Sequence, residues 1–175
     1  HVVRQNPDVI LIGEMRDLET VQTALTAAQL GHLVLSTVHT VDTVQTISRI
    51  IDIFPPHQQN EIRLQLADTL KGIISQRLIP RKDTQGLIPA VEVLVVTAAV
   101  KKCIEERNMS EIVNLIKQGK YYGMQTFNQA LLELYKSGKI TLEGALQAAT
   151  SPEDLMLAIK GIETGAETTT IFQKY

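Results

Sequence analysis

A carboxylate, two histidines and two threonines lie close together near the start of the chain, in two short strings. The first string is Asp8-Val-Ile-Leu-Ile-Gly13, followed by Glu14-Met15-Arg16-Asp17. A carboxylate at the end of a hydrophobic parallel strand can hold a phosphate-bound Mg²⁺ through water and offer charge to an attacking water, a Walker-B-like arrangement. An acidic residue after a buried strand is also explained as a solvated loop residue, and the pattern alone does not separate the two. The second string is Gly31-His32-Leu-Val-Leu-Ser-Thr37-Val-His39-Thr40. Here His32 and His39 bracket an apolar strand, and Thr37 and Thr40 have hydroxyls available to phosphate oxygens or water. On so short a strand the two histidines fall at opposite ends, so His39 reaches the C-terminal rim shared with Glu14 and His32 does so only if the chain bends. Each histidine is also explained as a surface or satisfied core residue, and each threonine by its β-propensity.

The elements that must position these residues follow from the periodicity. Asp8–Gly13 is a compact β-branched run bounded by Asn6-Pro7 and Gly13, which predicts a strand buried on both faces and central in a parallel sheet. From Asp17 the apolar spacing becomes helical through Leu18, Val21, Leu25 and Ala28, with Asp17 as the capping residue at the start and Gly31 at the end. His32–Ser36 is a second strand. Strand, helix, strand in about thirty residues is a βαβ unit, whose ligand sites sit at the C-terminal ends of the strands.

Further along, a helix through Val44, Ile47 and Ile51 stops before Phe54-Pro55-Pro56, and another carries Ile62, Leu66, Leu70 and Ile73 at helical spacing. Ser75–Arg81 and Gly86–Val96 predict an antiparallel edge hairpin around Lys82-Asp-Thr-Gln-Gly86. Helices are then predicted over Ala98–Glu106, Ser110–Lys117, Thr126–Ser137, Leu142–Ala149 and Pro152–Lys160. The fold class is α/β: a partial parallel-sheet core over residues 1–97, a helical subdomain over 98–161 and a tail over 162–175.

Bulk composition fits this. With 175 residues, 44% hydrophobic and 21% charged, the chain has the make-up of a globular protein with one sizeable core. A formal charge of −2 gives no global pull toward nucleic acid or an anionic membrane. One cysteine, Cys103, makes neither an intrachain disulfide nor a zinc framework, so a reducing compartment is expected. The longest apolar runs, such as Val91–Val100, are interrupted by Glu92 and fall short of the roughly 20 residues a membrane span needs. The start, His1-Val-Val-Arg-Gln-Asn-Pro, has neither a Met nor a signal-peptide pattern, which suggests a segment of something longer.

Taken together and in register, Asp8–Glu19 and Ala27–Thr40 resemble the Walker B and histidine-box segments of secretion ATPases. The likeness continues through Ile47-Ser-Arg-Ile-Ile-Asp-Ile-Phe-Pro55, Leu70-Lys-Gly-Ile-Ile-Ser-Gln-Arg-Leu78 and Gly123-Met-Gln-Thr-Phe-Asn128. The resemblance implies a RecA-like ATPase working as a ring of six. Such a ring uses ATP and Mg²⁺ to drive pilus or secretion machinery, and is cytoplasmic but peripheral at the inner membrane, against a pilus platform protein. Carried over by position, Glu14 resembles the Walker B acid, and His32 and His39 the histidine-box residues near the γ-phosphate. Arg16, Thr37 and Thr40 are candidate nucleotide contacts. Arg16 and Arg49 are also explained as surface salt bridges.

Two features of the resemblance point to pilus retraction. Assembly and secretion members usually carry a four-cysteine zinc module, which a lone Cys103 excludes. Thr97-Ala-Ala-Val-Lys-Lys-Cys-Ile-Glu-Glu106 resembles the helix typical of retraction motors, with Lys101 and Lys102 where an arginine–asparagine pair is common. The phosphate-wrapping string Gly-x-x-x-x-Gly-Lys-Ser/Thr is absent from the sequence. Gly119-Lys120 has Asn114 at the first glycine position, and Gly138-Lys139 has Glu133 there. These residues alone therefore make an incomplete ATPase site, and a P-loop is expected about 60 to 80 residues upstream of Glu14. The other readings are an assembly or secretion ATPase of the same family and a non-catalytic α/β interaction module.

Overall fold

The computed structural model describes residues 7–161. β1 (Val9–Ile12) and β2 (Leu33–Ser36) pair in parallel, in the register Val9↔Leu33 through Ile12↔Ser36, and α1 (Leu18–Gln29) joins them. The start of α1 is fixed by Asp17, whose carboxylate accepts the Thr20 N–H at 2.9 Å and the Thr20 hydroxyl at 3.0 Å. Its end is fixed by Gly31, whose φ of +96° lies where a side chain would be strained.

β1 departs from the expectation of burial on both faces. Ile10 is buried, but Val9 and Leu11 are exposed. The register sets Val9 beside Leu33 and Leu11 beside Leu35, and the two leucines are exposed as well. Side chains alternate along a strand, so these four share one face of the pair and only the other face is covered by packing. A continuous apolar run does not by itself distinguish one covered face from two. Among the described residues β1 pairs only with β2.

α2 (Thr43–Asp52) ends before buried Phe54 and Pro55-Pro56, and α3 (Gln59–Thr69) follows. The helical spacing read as far as Ile73 breaks earlier, since Leu70 is already extended and Ile73 belongs to β3 (Gly72–Pro80). Gly72 shows why a strand begins there: a Cβ at this position would stand 2.9 Å from the Leu94 carbonyl oxygen, so the backbones approach too closely for any other residue. β3 and β4 (Leu87–Val95) form the expected hairpin, with the Arg81 N–H donating to the Gly86 carbonyl at 3.0 Å. The predicted helices follow as α4 (Ala98–Glu105), α5 (Met109–Gln118), α6 (Phe127–Lys136), α7 (Leu142–Ala148) and α8 (Pro152–Ile159). A 3₁₀ turn over Gly119–Tyr122 lies between α5 and α6.

The described residues group into two compact units, one of residues up to 76 with 91–126, the other of residues 77–90 with those from 127 on. The division therefore falls elsewhere than after residue 97. The core of the first unit gathers Val21 and Leu25 of α1, Ile47 and Ile51 of α2, Ile62 and Leu66 of α3, Ile104 of α4 and Ile112 of α5. Burying each of these side chains stabilises by about 1.5–3 kcal/mol, which commits α4 and α5 to this unit. The core of the second unit is Ile79, Ala90, Phe127, Leu131, Ile140, Ala145 and Leu155. There the Arg77 guanidinium lies 3.8 Å from the Phe127 ring centroid while Nη1 donates to the Ala148 carbonyl at 2.6 Å. The expected tail, 162–175, lies outside the described residues.

Candidate functional site

The site lies where β1 and β2 end together. Because Ile12 pairs with Ser36, the next residues, Gly13 and Thr37, leave the sheet side by side. Two bonds tie them: the Thr37 hydroxyl donates to the Gly13 carbonyl at 2.6 Å, and the Met15 N–H donates to the Thr37 carbonyl at 3.1 Å. Glu14, one residue beyond Gly13, is thereby aimed at the segment after β2.

There Glu14 Oε1 accepts from Arg16 Nε and stands 3.2 Å from His39 Nε2. Its side chain is 24% exposed, against 74% for Arg16 and 78% for His39. The Arg16 hydrogen bond is the main reason the Glu14 carboxyl sits below its ordinary range. Partial desolvation opposes this, and the charges of Arg16 and His39 add to it. The same pairing raises Arg16. The result is an ionised carboxylate held at a strand end by two long donors, with enough solvent access to meet a ligand.

Thr40 belongs to the same loop but faces α2, its hydroxyl 2.6 Å from that of Thr46. Asp42 caps α2 by accepting the Gln45 N–H at 2.7 Å. Thr37 and Thr40 thus brace the two loops, and their hydroxyls are already engaged. His32 is not brought to this edge. It sits at the opposite end of β2, where Nδ1 donates to the Pro7 carbonyl at 2.7 Å. The bend that would carry it to Glu14 does not occur, since β2 alone runs roughly 13 Å at about 3.3 Å per residue. Arg49 lies in the last turn of α2, away from the end that follows His39. Arg16 pairs with Glu14 as an exposed ion pair, the plainer of its two readings, though its partner is the site carboxylate itself.

One residue close to this site drew no attention in the sequence beyond interrupting an apolar run. Glu92, in β4, is 8% exposed and accepts the Thr43 N–H at 3.0 Å and the Thr43 hydroxyl at 2.9 Å. A charged residue type at an inward position of an alternating strand was the signal that could have found it.

The donors fit a hydrated Mg²⁺ better than a caged one. Glu14 offers a single carboxylate, and no group of three His, Cys, Asp or Glu among the described residues could hold a metal ion. Mg²⁺ on a nucleotide is commonly held by one or two carboxylates, with phosphates and waters completing its shell.

The βαβ unit carries an acidic residue and a histidine at its shared C-terminal edge, and comparison with known proteins gives the family. Residues 1–87 match the family described as Type II/IV secretion system protein, and over these residues the chain belongs to that family. The likeness to one of its branches runs further. The type IV pilus retraction ATPase PilT of Pseudomonas aeruginosa is 41% identical over 152 residues, 87% of this chain and 44% of the relative. A crystal structure of the pilus retraction motor PilT with bound ADP superposes with a TM-score of 0.80 at 46% identity, covering 89% of this chain and 43% of that one. The type IV pilus assembly ATPase PilB of the same bacterium is 45% identical, but over 76 residues, 43% of this chain and 12% of the relative. The chain spans less than half the length of the curated relatives it matches.

Proposed function

We propose that this chain is part of an ATP-hydrolysing motor for type IV pilus retraction and carries the Walker B glutamate and a histidine of its nucleotide site. The observation behind this reading is the meeting of Glu14 Oε1 and His39 Nε2 at 3.2 Å on the C-terminal edge of a parallel strand pair, where α/β folds bind ligands. Glu14 is the group that would hold Mg²⁺ through water and orient the attacking water, and Arg16 keeps it ionised. His39 would donate to a γ-phosphate oxygen as charge develops there. Thr37 and Thr40 hold the loops on which these groups ride. When bound, Mg²⁺ supplies neutralisation of the phosphate charge that phosphoryl transfer requires.

Retraction is favoured over assembly or secretion by the extent of the likeness. Similarity to the retraction ATPase continues through α4, α5 and the second unit, whereas similarity to the assembly ATPase stops at 76 residues. The non-catalytic alternative leaves the Glu14–His39 contact without a purpose. The full assembly in this reading is a homo-hexamer, cytoplasmic and peripheral at the inner membrane, against a pilus platform protein. No described helix is long and apolar enough to cross a membrane.

The test is Glu14→Gln in the full-length protein. An amide cannot serve Mg²⁺ and water as a carboxylate does, so ATP binding is expected to persist while hydrolysis falls by about a hundredfold or more. Turnover at the wild-type rate would remove Glu14 from the mechanism.

A further inference from the structure

β4 alternates strictly, and its inward positions are Ala90, Glu92 and Leu94. Glu92 is the one charged residue of that strand, and it lies on the buried face. Placing a carboxyl group there is unfavourable unless donors meet it. Both donors come from Thr43, a fully buried residue and the first of α2. Glu92 Oε1 accepts its backbone N–H at 3.0 Å and its hydroxyl at 2.9 Å. α2 already has its own capping residue in Asp42, which takes the Gln45 N–H. Glu92 therefore does more than satisfy an orphan amide: it ties the first turn of α2 to a strand far away in sequence.

What that turn carries is the segment with His39. On the sheet side the segment is clamped at Thr37 by its bonds to Gly13 and Met15. On the helix side Thr40 is joined to Thr46, and Thr46 Oγ1 donates to the Asp42 carbonyl at 2.8 Å, so residues 40–46 close on themselves. The pair of bonds from Thr43 to Glu92 joins that closed piece to β4. His39 lies between the two clamps with a 78% exposed side chain and little packing of its own to fix it.

We propose that Glu92 is a positioning residue for the nucleotide edge: by holding the first turn of α2 it fixes where His39 stands relative to Glu14. The proposal rests on the ATPase reading for its kinetic consequence, whereas the anchoring itself can be measured without nucleotide. A displacement of about 1 Å of a reacting group can lower turnover about a hundredfold, and a group used mainly in the transition state affects kcat more than KM.

The experiment compares Glu92→Leu, Glu92→Gln and Thr43→Val with wild type in the full-length protein. Readouts are kcat and KM for ATP, and amide hydrogen exchange of peptides covering residues 37–46. Glu92→Leu is expected to lower kcat about tenfold or more with KM within about twofold, and to speed exchange in residues 37–46. Glu92→Gln keeps an oxygen able to accept both Thr43 donors and is expected to recover most of kcat, which a requirement for charge alone would not allow. Thr43→Val removes one of the two bonds and is expected to fall between them; it decides the matter if Glu92→Leu does not fold. Unchanged exchange in residues 37–46, or wild-type kcat in a folded Glu92→Leu or Thr43→Val, overturns the proposal. A wild-type protein without ATP hydrolysis refutes the ATPase reading instead, and the exchange measurement then still decides whether Glu92 anchors the segment.

Discussion

The same substitution at the two histidines should have opposite outcomes. His32 Nδ1 donates a partly buried 2.7 Å hydrogen bond to the Pro7 carbonyl, at the end of β2 remote from Glu14. Replacing it with alanine removes that bond and leaves the carbonyl to water, a loss of about 0.5–1.5 kcal/mol. In a domain of this size that lowers Tm by about 2–4 °C per kcal/mol. His39 is 78% exposed and its only described polar contact is Glu14 Oε1 at 3.2 Å. Its replacement therefore removes little packing and should lower Tm by no more than about 2–4 °C, since exposed pairs contribute about 0–1 kcal/mol. Turnover reverses the order. A donor aimed at developing phosphate charge is worth about 100- to 1000-fold in kcat, while His32 at the far strand end has no route to that charge. The assay is His32→Ala and His39→Ala in the full-length protein, each measured for ATP binding, turnover and thermal unfolding. Loss of turnover in His32→Ala equal to that in His39→Ala, at unchanged Tm, would refute the placement of His32 away from the site. Melting of His39→Ala with turnover intact would make His39 a structural residue.

Other perturbations test the frame around the site. Phe127 is fully buried beneath the Arg77 guanidinium, so Phe127→Ala should destabilise by about 3–5 kcal/mol, read as a lowered urea midpoint. A change below about 1 kcal/mol would mean the second unit does not depend on that ring. The Asp17 carboxyl is held below its ordinary value of 3.8, first by the Thr20 N–H, and Glu14 is held below 4.5, first by Arg16. Both shifts are downward, so the stability they contribute is present above these ordinary values and is lost as pH falls through the lowered ones. Denaturation midpoints of wild type and Asp17→Asn should therefore converge on acidification below about pH 4, and a gap that persists there would contradict the capping charge.

What could be read from the sequence was what local chemistry decides. Asp17 and Gly31 mark the ends of α1 because a capping oxygen and a left-handed glycine act within a few residues. Glu14 and His39 could be paired in advance because strand length and parallel direction alone set their shared edge. The misread features depend on partners distant in the chain. Ile73 kept a helical spacing by coincidence, while the approach of Gly72 to Leu94 decides that the strand begins there. The exposed faces of Val9 and Leu11 depend on what covers the sheet, which no local run encodes. Glu92 looked like a flaw in an apolar strand because its donor, Thr43, is 49 residues away.

The way the hairpin is shared between the two units has a consequence for how such chains can recombine. Residues 77–90 lie in the second unit although the chain before and after them lies in the first. A single crossover at residue 126 between two homologous genes would exchange α6, α7 and α8 yet leave the hairpin tip of the recipient. Ile79 would then meet a foreign core, and the bond from the Lys82 N–H to the Lys139 carbonyl at 2.8 Å would join two lineages. Functional exchange of the second unit requires three junctions at once, at 76, 90 and 126. The hairpin tip and α6, α7 and α8 should therefore drift as one inherited block, with substitutions at Ile79 and Ala90 tracked by compensating changes around Phe127, Gly144 and Leu155.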